Sequence, residues 1–217
     1  MKRTFAFDTT TLATTPLLLD SGVYEGRLIN AAIASKEGKN HINVVKETKW
    51  DKSNRAFVET GEYVVEGSIY YGALLTDKKA IETLQQDEPR VFGGRIRLSF
   101  NKETLQMDNN YVLGSWLQAL QLHEINFGSE VDFEYDENIE IPEEFVGVND
   151  IVDKLNCVEY HRSLFNMVCQ AANNVKVNVR VVKQPSYRNK EILENIIDTG
   201  SYNSSCGILQ FTEEYYS

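Results

Sequence analysis

Residues 96–100 read Ile-Arg-Leu-Ser-Phe, and residues 175–181 read Val-Lys-Val-Asn-Val-Arg-Val. Both alternate apolar and polar side chains with a period of two, the pattern of a strand with one buried face. Ile96, Leu98 and Phe100 are expected to point inward, with Arg95 and Arg97 outward. In the second stretch the four valines are expected inward, and Lys176, Asn178 and Arg180 outward. The framework is therefore a half-buried sheet, and its outer face carries cations.

Working outward from these strands, residues 1–16 are Thr-rich and polar and read as an arm. Strands are expected at 23–33, 42–50, 56–65 and 68–75, punctuated by turns at 37–40 and 51–55. Helix formers fill 77–86, with Thr76 as the expected N-cap. Residues 89–94 break that helix before the strand at 95–100. Residues 111–122 read as a helix with Leu113, Trp116, Leu117 and Leu120 on one face. Two further helices are expected at 149–155 and 159–172. The second carries an apolar stripe of Leu164, Phe165, Val168, Cys169 and Ala172, and Asn173 and Asn174 stop it. Strands at 175–182 and 191–197, around a loop at 185–190, complete the folded part.

Strands first, helices inserted late and a closing strand pair imply an α+β chain, mainly β. The strand count fits an OB-like Greek-key barrel with inserted helices. The expected organisation is an arm at 1–16, a domain at 17–200 with a helical insertion at about 111–172, and an acidic, aromatic tail at 201–217.

The chain has 217 residues, 42% of them hydrophobic, enough for one sizeable core. Its net charge of −10 is unevenly placed. Residues 1–110 hold 15 basic and 15 acidic side chains, and residues 111–217 hold 7 and 17. Residues 130–144 alone carry eight carboxylates and no Lys or Arg. Such a run reads as a solvated acidic loop or as a docking surface for a basic partner. The three cysteines, Cys157, Cys169 and Cys206, form no CxxC pair and fit neither a zinc site nor a disulfide framework, so a reducing compartment is expected. No apolar run is long enough to span a bilayer, and no signal peptide is expected.

Catalytic motifs are missing. Phe92-Gly93-Gly94-Arg95 lacks the spacing and the Lys-Ser/Thr of a phosphate loop. There is no GxSxG elbow and no HExxH, and His41, His123 and His161 are scattered. Asp132, Glu134 and Asp136 alternate but have no partner cluster for a metal. The expectation is a binding protein without enzyme activity, cofactor or metal.

Single-stranded nucleic acid is bound by cations that follow the phosphates and by rings that stack on bases. Lys46, Lys49, Trp50, Lys52 and Arg55 lie around one predicted hairpin, with Phe57 beside them. Tyr70, Arg95 and Arg97 fall on outward strand faces, and Tyr187 and Arg188 flank a second hairpin near Lys183 and Lys190. Trp50, at a strand end among lysines, is the residue most expected to stack. The competing reading is that these charges only keep strand surfaces soluble.

The order of elements resembles the bacteriophage single-stranded DNA-binding proteins of the OB-fold type. The resemblance rests on Gly22-Val23-Tyr24 entering the first long strand and on Gly38-Lys39-Asn40-His41-Ile42. Leu117-Gln118-Ala119-Leu120 in mid-chain and Tyr187-Arg188-Asn189 before the last strand add to it. It spans roughly residues 17–198. The helical insertion depart from the pattern, as does a tail with only Glu213 and Glu214. The resemblance implies a coat for single-stranded DNA in phage replication or recombination, in the cytoplasm of an infected bacterial host. Replication or recombination proteins on the acidic half, and further copies of the chain, are the other implied partners. The alternative is a phage virion structural or assembly protein that uses the same strands for subunit contacts.

Overall fold

One strand organises the molecule. In a computed structural model that describes residues 17–33, 42–84, 90–199 and 205–212, β3 (Ala56–Leu75) runs unbroken for 20 residues. Its neighbours are β1 (Gly22–Ile33), β2 (Asn43–Asp51) and β4 (Val91–Ser99). β5 (Lys176–Pro185), β6 (Leu193–Ile197) and β7 (Ile208–Gln210) complete a seven-stranded sheet. Every pairing is antiparallel. Among the described residues there are three α-helices: α1 (Lys78–Leu84), α2 (Tyr111–Ala119) and α3 (Ile151–Ala172). The chain is thus α+β and mainly β.

Among the described residues, β3 pairs only with β2 over residues 56–65, starting from Asp51 opposite Ala56, and Glu66 lies between Asn43 of β2 and Ser99 of β4. The upper half of β3 lies between β1 and β4. β1 pairs with β5 over Gly22–Arg27 and with β3 from Gly26 to Ile33. A register shift between Ile29 and Ala32, with Asn30 at φ 52°, bends β1. The Ala31 N–H freed there donates to Asn173 Oδ1 at 2.9 Å. At the far side, β5 carries β7 and then β6 along one edge. β4 and β6 face each other across a cleft of about 590 Å3. No ladder joins them among the described residues, so the sheet is open rather than a closed barrel.

The alternating strands behave as their sequence dictates. Ile96, Leu98, Phe100, Val177, Val179 and Val181 are buried, while Arg95 and Arg97 are exposed. Asn178 departs from expectation. It is fully buried, because its Nδ2 donates to the Gln210 and Thr212 carbonyls of the segment lying beside β5. That segment falls within the stretch read as a tail, yet Cys206 and Ile208 are core residues. Val175 precedes its strand and is half-buried.

Several boundaries differ from the sequence reading: β4 opens at Val91, inside the stretch read as a break, and α2 ends at Ala119. The strands expected at 56–65 and 68–75 are one. Gly67 spans the gap, since a Cβ there would stand 2.8 Å from the Ile42 Cα. The helices expected at 149–155 and 159–172 are also one. Asn156, an apparent interruption, is buried and holds the acidic loop: it accepts from Asp136 N–H and donates to Asp136 O and Val152 O. Finally, α1 is capped by Asp77, whose Oδ1 accepts from Ala80 N–H at 2.8 Å, rather than by Thr76. The arm at 1–16 and the turn at 37–40 lie outside the described residues.

α3 packs over β1, β2 and β3 through Phe165, Val168, Cys169 and Ala172. α2, capped by Asn110, buries Leu113 and Trp116 toward β7 and Tyr71. Between them, residues 120–150 run as turns that include short 3-10 stretches at Phe127–Glu130 and Glu143–Phe145.

Candidate nucleic-acid interface

The β2–β3 hairpin leaves the body as a two-stranded ribbon. Residues 56–62 of β3 are exposed on both faces, and among the described residues nothing pairs with their second edge. Asp51 builds the turn: its carboxylate accepts from Ser53 N–H at 2.8 Å and from Asn54 Nδ2 at 2.7 Å. Those bonds, the Ser53 backbone bond first, lower the Asp51 pKa. Arg55 closes the turn at φ 49°.

Trp50 and Phe57 sit directly opposite each other, so they share a face of the ribbon. Their rings meet edge to face at 5.1 Å. They remain 52% and 69% exposed, unusual for large apolar rings without a partner surface. Lys49 opposes Val58 on the other face, and Lys52 and Arg55 occupy the turn. Lys52 and Arg55 have no ion-pair partner among the described residues.

The other cations singled out along the sheet are engaged. Lys46 meets Glu59 at 3.1 Å, and that hydrogen bond raises its pKa. Lys49 lies 3.5 Å from Glu47. Arg97 binds Glu66 at 2.6 Å. Lys102 bridges Glu47 at 2.8 Å and Glu62 at 2.5 Å. Its hydrogen bond, with that of Thr60, holds the Glu47 carboxyl down to about 2. Arg95 donates to Ser68 Oγ at 2.9 Å and lies over the Tyr70 ring at 5.5 Å. Tyr70 is half-buried, its hydroxyl enclosed without a hydrogen-bond partner. It is covered by arginine rather than presented as a flat stacking surface.

The ten residues singled out from sequence therefore do not form one groove. Trp50, Lys52 and Arg55 cluster at the ribbon tip, with Lys49 and Lys46 behind them. Tyr70, Arg95 and Arg97 lie some 40 Å farther along β3, at about 3.3 Å per residue. Tyr187 and Arg188 sit in the β5–β6 turn, where Ser186 N–H donates to Ile192 O. That turn projects past the N-terminal end of β1, the opposite end of the sheet from the ribbon tip. Tyr187 is 90% exposed, with Lys190 5.8 Å from its ring. Sequence reasoning missed the carboxylates that engage the lysines. The signal was the register, which places Glu47, Glu59 and Glu66 among the cations.

Cys157 Sγ lies 3.5 Å from His161 Nδ1, a spacing that suggests a nucleophile pair. However, Nδ1 is 2.9 Å from the Cys157 carbonyl, so it serves as a donor and cannot take the thiol proton. Burial pushes the Cys157 thiol up to about 11 and lowers the His161 pKa. Both shifts oppose a thiolate–imidazolium pair. Among the described residues no group of three or more His, Cys, Asp or Glu is placed to hold a metal ion. No helix among them is long and apolar enough to cross a membrane. No family model, curated protein or solved structure matches the chain.

Proposed function

We propose that this protein binds single-stranded DNA without catalysis, and that the β2–β3 ribbon is its contact surface. The observation that carries the reading is the exposed Trp50–Phe57 pair, flanked by Lys52 and Arg55, cations with no ion pair among the described residues. Rings that bases can stack on, next to charges that meet phosphates, are what sequence-tolerant strand binding needs. The curled sheet, with β4 and β6 brought near each other, supports an OB-like reading of the fold. A role in phage replication or recombination, inside an infected bacterium, rests on the family resemblance of the element order.

The test uses intrinsic fluorescence. The chain has two tryptophans, and Trp116 is fully buried, so quenching by oligo-dT reports Trp50. Saturable quenching at about 50 mM salt, where phosphate contacts are strong, supports the proposal. Absence of binding under those conditions refutes it.

One observation favours a second reading, a phage virion or assembly protein. Among the described residues the outer edge of β2 is unpaired, and a bare strand edge is a template for another chain. That reading predicts a concentration-dependent oligomer that Trp50→Ala dissolves, with no DNA binding.

A further inference from the structure

A second feature lies at the base of the ribbon. A cavity of about 610 Å3 opens between Glu62, Tyr63, Lys102 and the start of α3. This is the size of a small-molecule site. Its wall includes Lys154, which is only 7% exposed. The Lys154 ammonium makes one hydrogen bond, to Asn149 O at 3.0 Å. No carboxylate of the described residues lies within ion-pair distance of it. An ammonium offers three donors, and a buried charge needs a counter-charge.

The surroundings fit an anion. Lys102 also lines the wall but is shared between Glu62 and Glu47, so Lys154 is the cation of the wall left to meet an anion. Asn149 and Lys154, on either side of the first turn of the 22-residue α3, both line the cavity. Asp150, at the N-cap, sits at φ 55° and its side chain caps nothing. The mouth is open, since Gly147 has nothing within 4 Å of where a Cβ would stand. Glu103 is the one carboxylate of the wall with no ion pair among the described residues.

We infer that this cavity binds a small phosphate-type oxyanion, with the buried Lys154 ammonium as its counter-charge. The inference is independent of the ribbon. The phosphate is either a free anion or one carried by a nucleic-acid strand, and the test separates these.

The full chain is titrated with sodium phosphate against sodium chloride at matched ionic strength, by calorimetry and amide NMR. Phosphate is expected to bind saturably and to shift the amides of residues 147–149 and Lys154. Lys154→Met should weaken it at least tenfold. Glu103→Gln should tighten it, by removing a like charge. Lys52→Ala/Arg55→Ala should leave phosphate binding unchanged, even if oligo-dT binding is lost. Displacement of phosphate by oligo-dT identifies a strand phosphate as the ligand, and no displacement identifies the free anion. Shifts scattered over the surface, or equal affinity in wild type and Lys154→Met, overturn the inference. Should Lys154→Met fail to fold, the wild-type shifts decide: confined to the cavity they support it, and absent or diffuse they overturn it.

Discussion

Salt dependence is the sharpest prediction, because the structure fixes its size. A single strand releases counterions with a slope of about −0.7 in log K against log salt for each phosphate neutralised. Counting every basic residue of the hairpin gives four contacts, from Lys46, Lys49, Lys52 and Arg55. Lys46 and Lys49, however, are already held by Glu59 and Glu47. Only Lys52 and Arg55 can meet phosphate without giving up a carboxylate. The expected slope is therefore about −1.4 rather than about −2.8. Lys52→Ala/Arg55→Ala should flatten it toward zero. Trp50→Ala should keep the slope and lower affinity at every salt concentration by about 1–3 kcal/mol, roughly 5- to 150-fold. The same variant loses only an edge-to-face contact with Phe57, worth about 0.5–1.5 kcal/mol, so the fold survives. Fluorescence anisotropy of labelled oligo-dT between about 50 and 300 mM salt makes the measurement, a range over which counterion release is readily seen. A slope unchanged in the double variant, or an affinity indifferent to Trp50, would refute the assignment to the ribbon tip.

Three further outcomes follow from other parts of the fold. Asn156→Ala removes three hydrogen bonds and strands the Asp136 backbone, which should cost about 2–4 kcal/mol in urea unfolding; a change under about 0.5 kcal/mol would mean the acidic loop is held otherwise. His161 is packed among Phe100, Tyr160 and Phe165, and burial lowers its pKa from 6.5, so the unfolded chain takes up the proton first. Stability should fall as pH drops below about 6.5, and His161→Leu should lose that part of the pH dependence in thermal melts. Changing several carboxylates of residues 130–144 to amides should leave oligo-dT affinity unchanged or raise it, most visibly at low salt where screening is weakest; a loss of affinity in a folded variant would place that loop in the interface.

The fold was legible where burial is one-sided. The alternation at residues 96–100 and 175–181 predicts inward and outward side chains because one face of each strand meets the core. Legibility failed where tertiary contacts override local pattern. Gly67 looks like a break, but β3 needs a residue without a side chain where Ile42 passes over it. Asn156 looks like the end of a helix, but its amide serves the backbone of a loop 20 residues upstream. β7 is three residues long, and its only announcement in the sequence is Ile208-Leu209 between polar neighbours. Of the candidate residues, the clustering at the ribbon tip was legible because Trp50 and its lysines are contiguous. The distance from there to Tyr187 and Arg188 was not, because it depends on strand order.

Charge arithmetic carries the argument one step further. Residues 1–110 are neutral, with 15 cations and 15 anions, although their strands look basic when each is read alone. The register resolves the contradiction: Glu47, Glu59, Glu62 and Glu66 lie along β2 and β3 within reach of Lys46, Lys49, Arg97 and Lys102. Along these sheet faces, exposed pairs cancel the field that would attract phosphate and add little to stability. Positive potential survives where geometry denies a carboxylate its partner. One such place is a turn that projects beyond the sheet, at Lys52 and Arg55. Another is a buried position that no acidic side chain of the described residues reaches, at Lys154. On the proposed reading, a strand bound at the ribbon tip would meet charge at points rather than along a groove, and would be held as much by Trp50 and Phe57 as by charge.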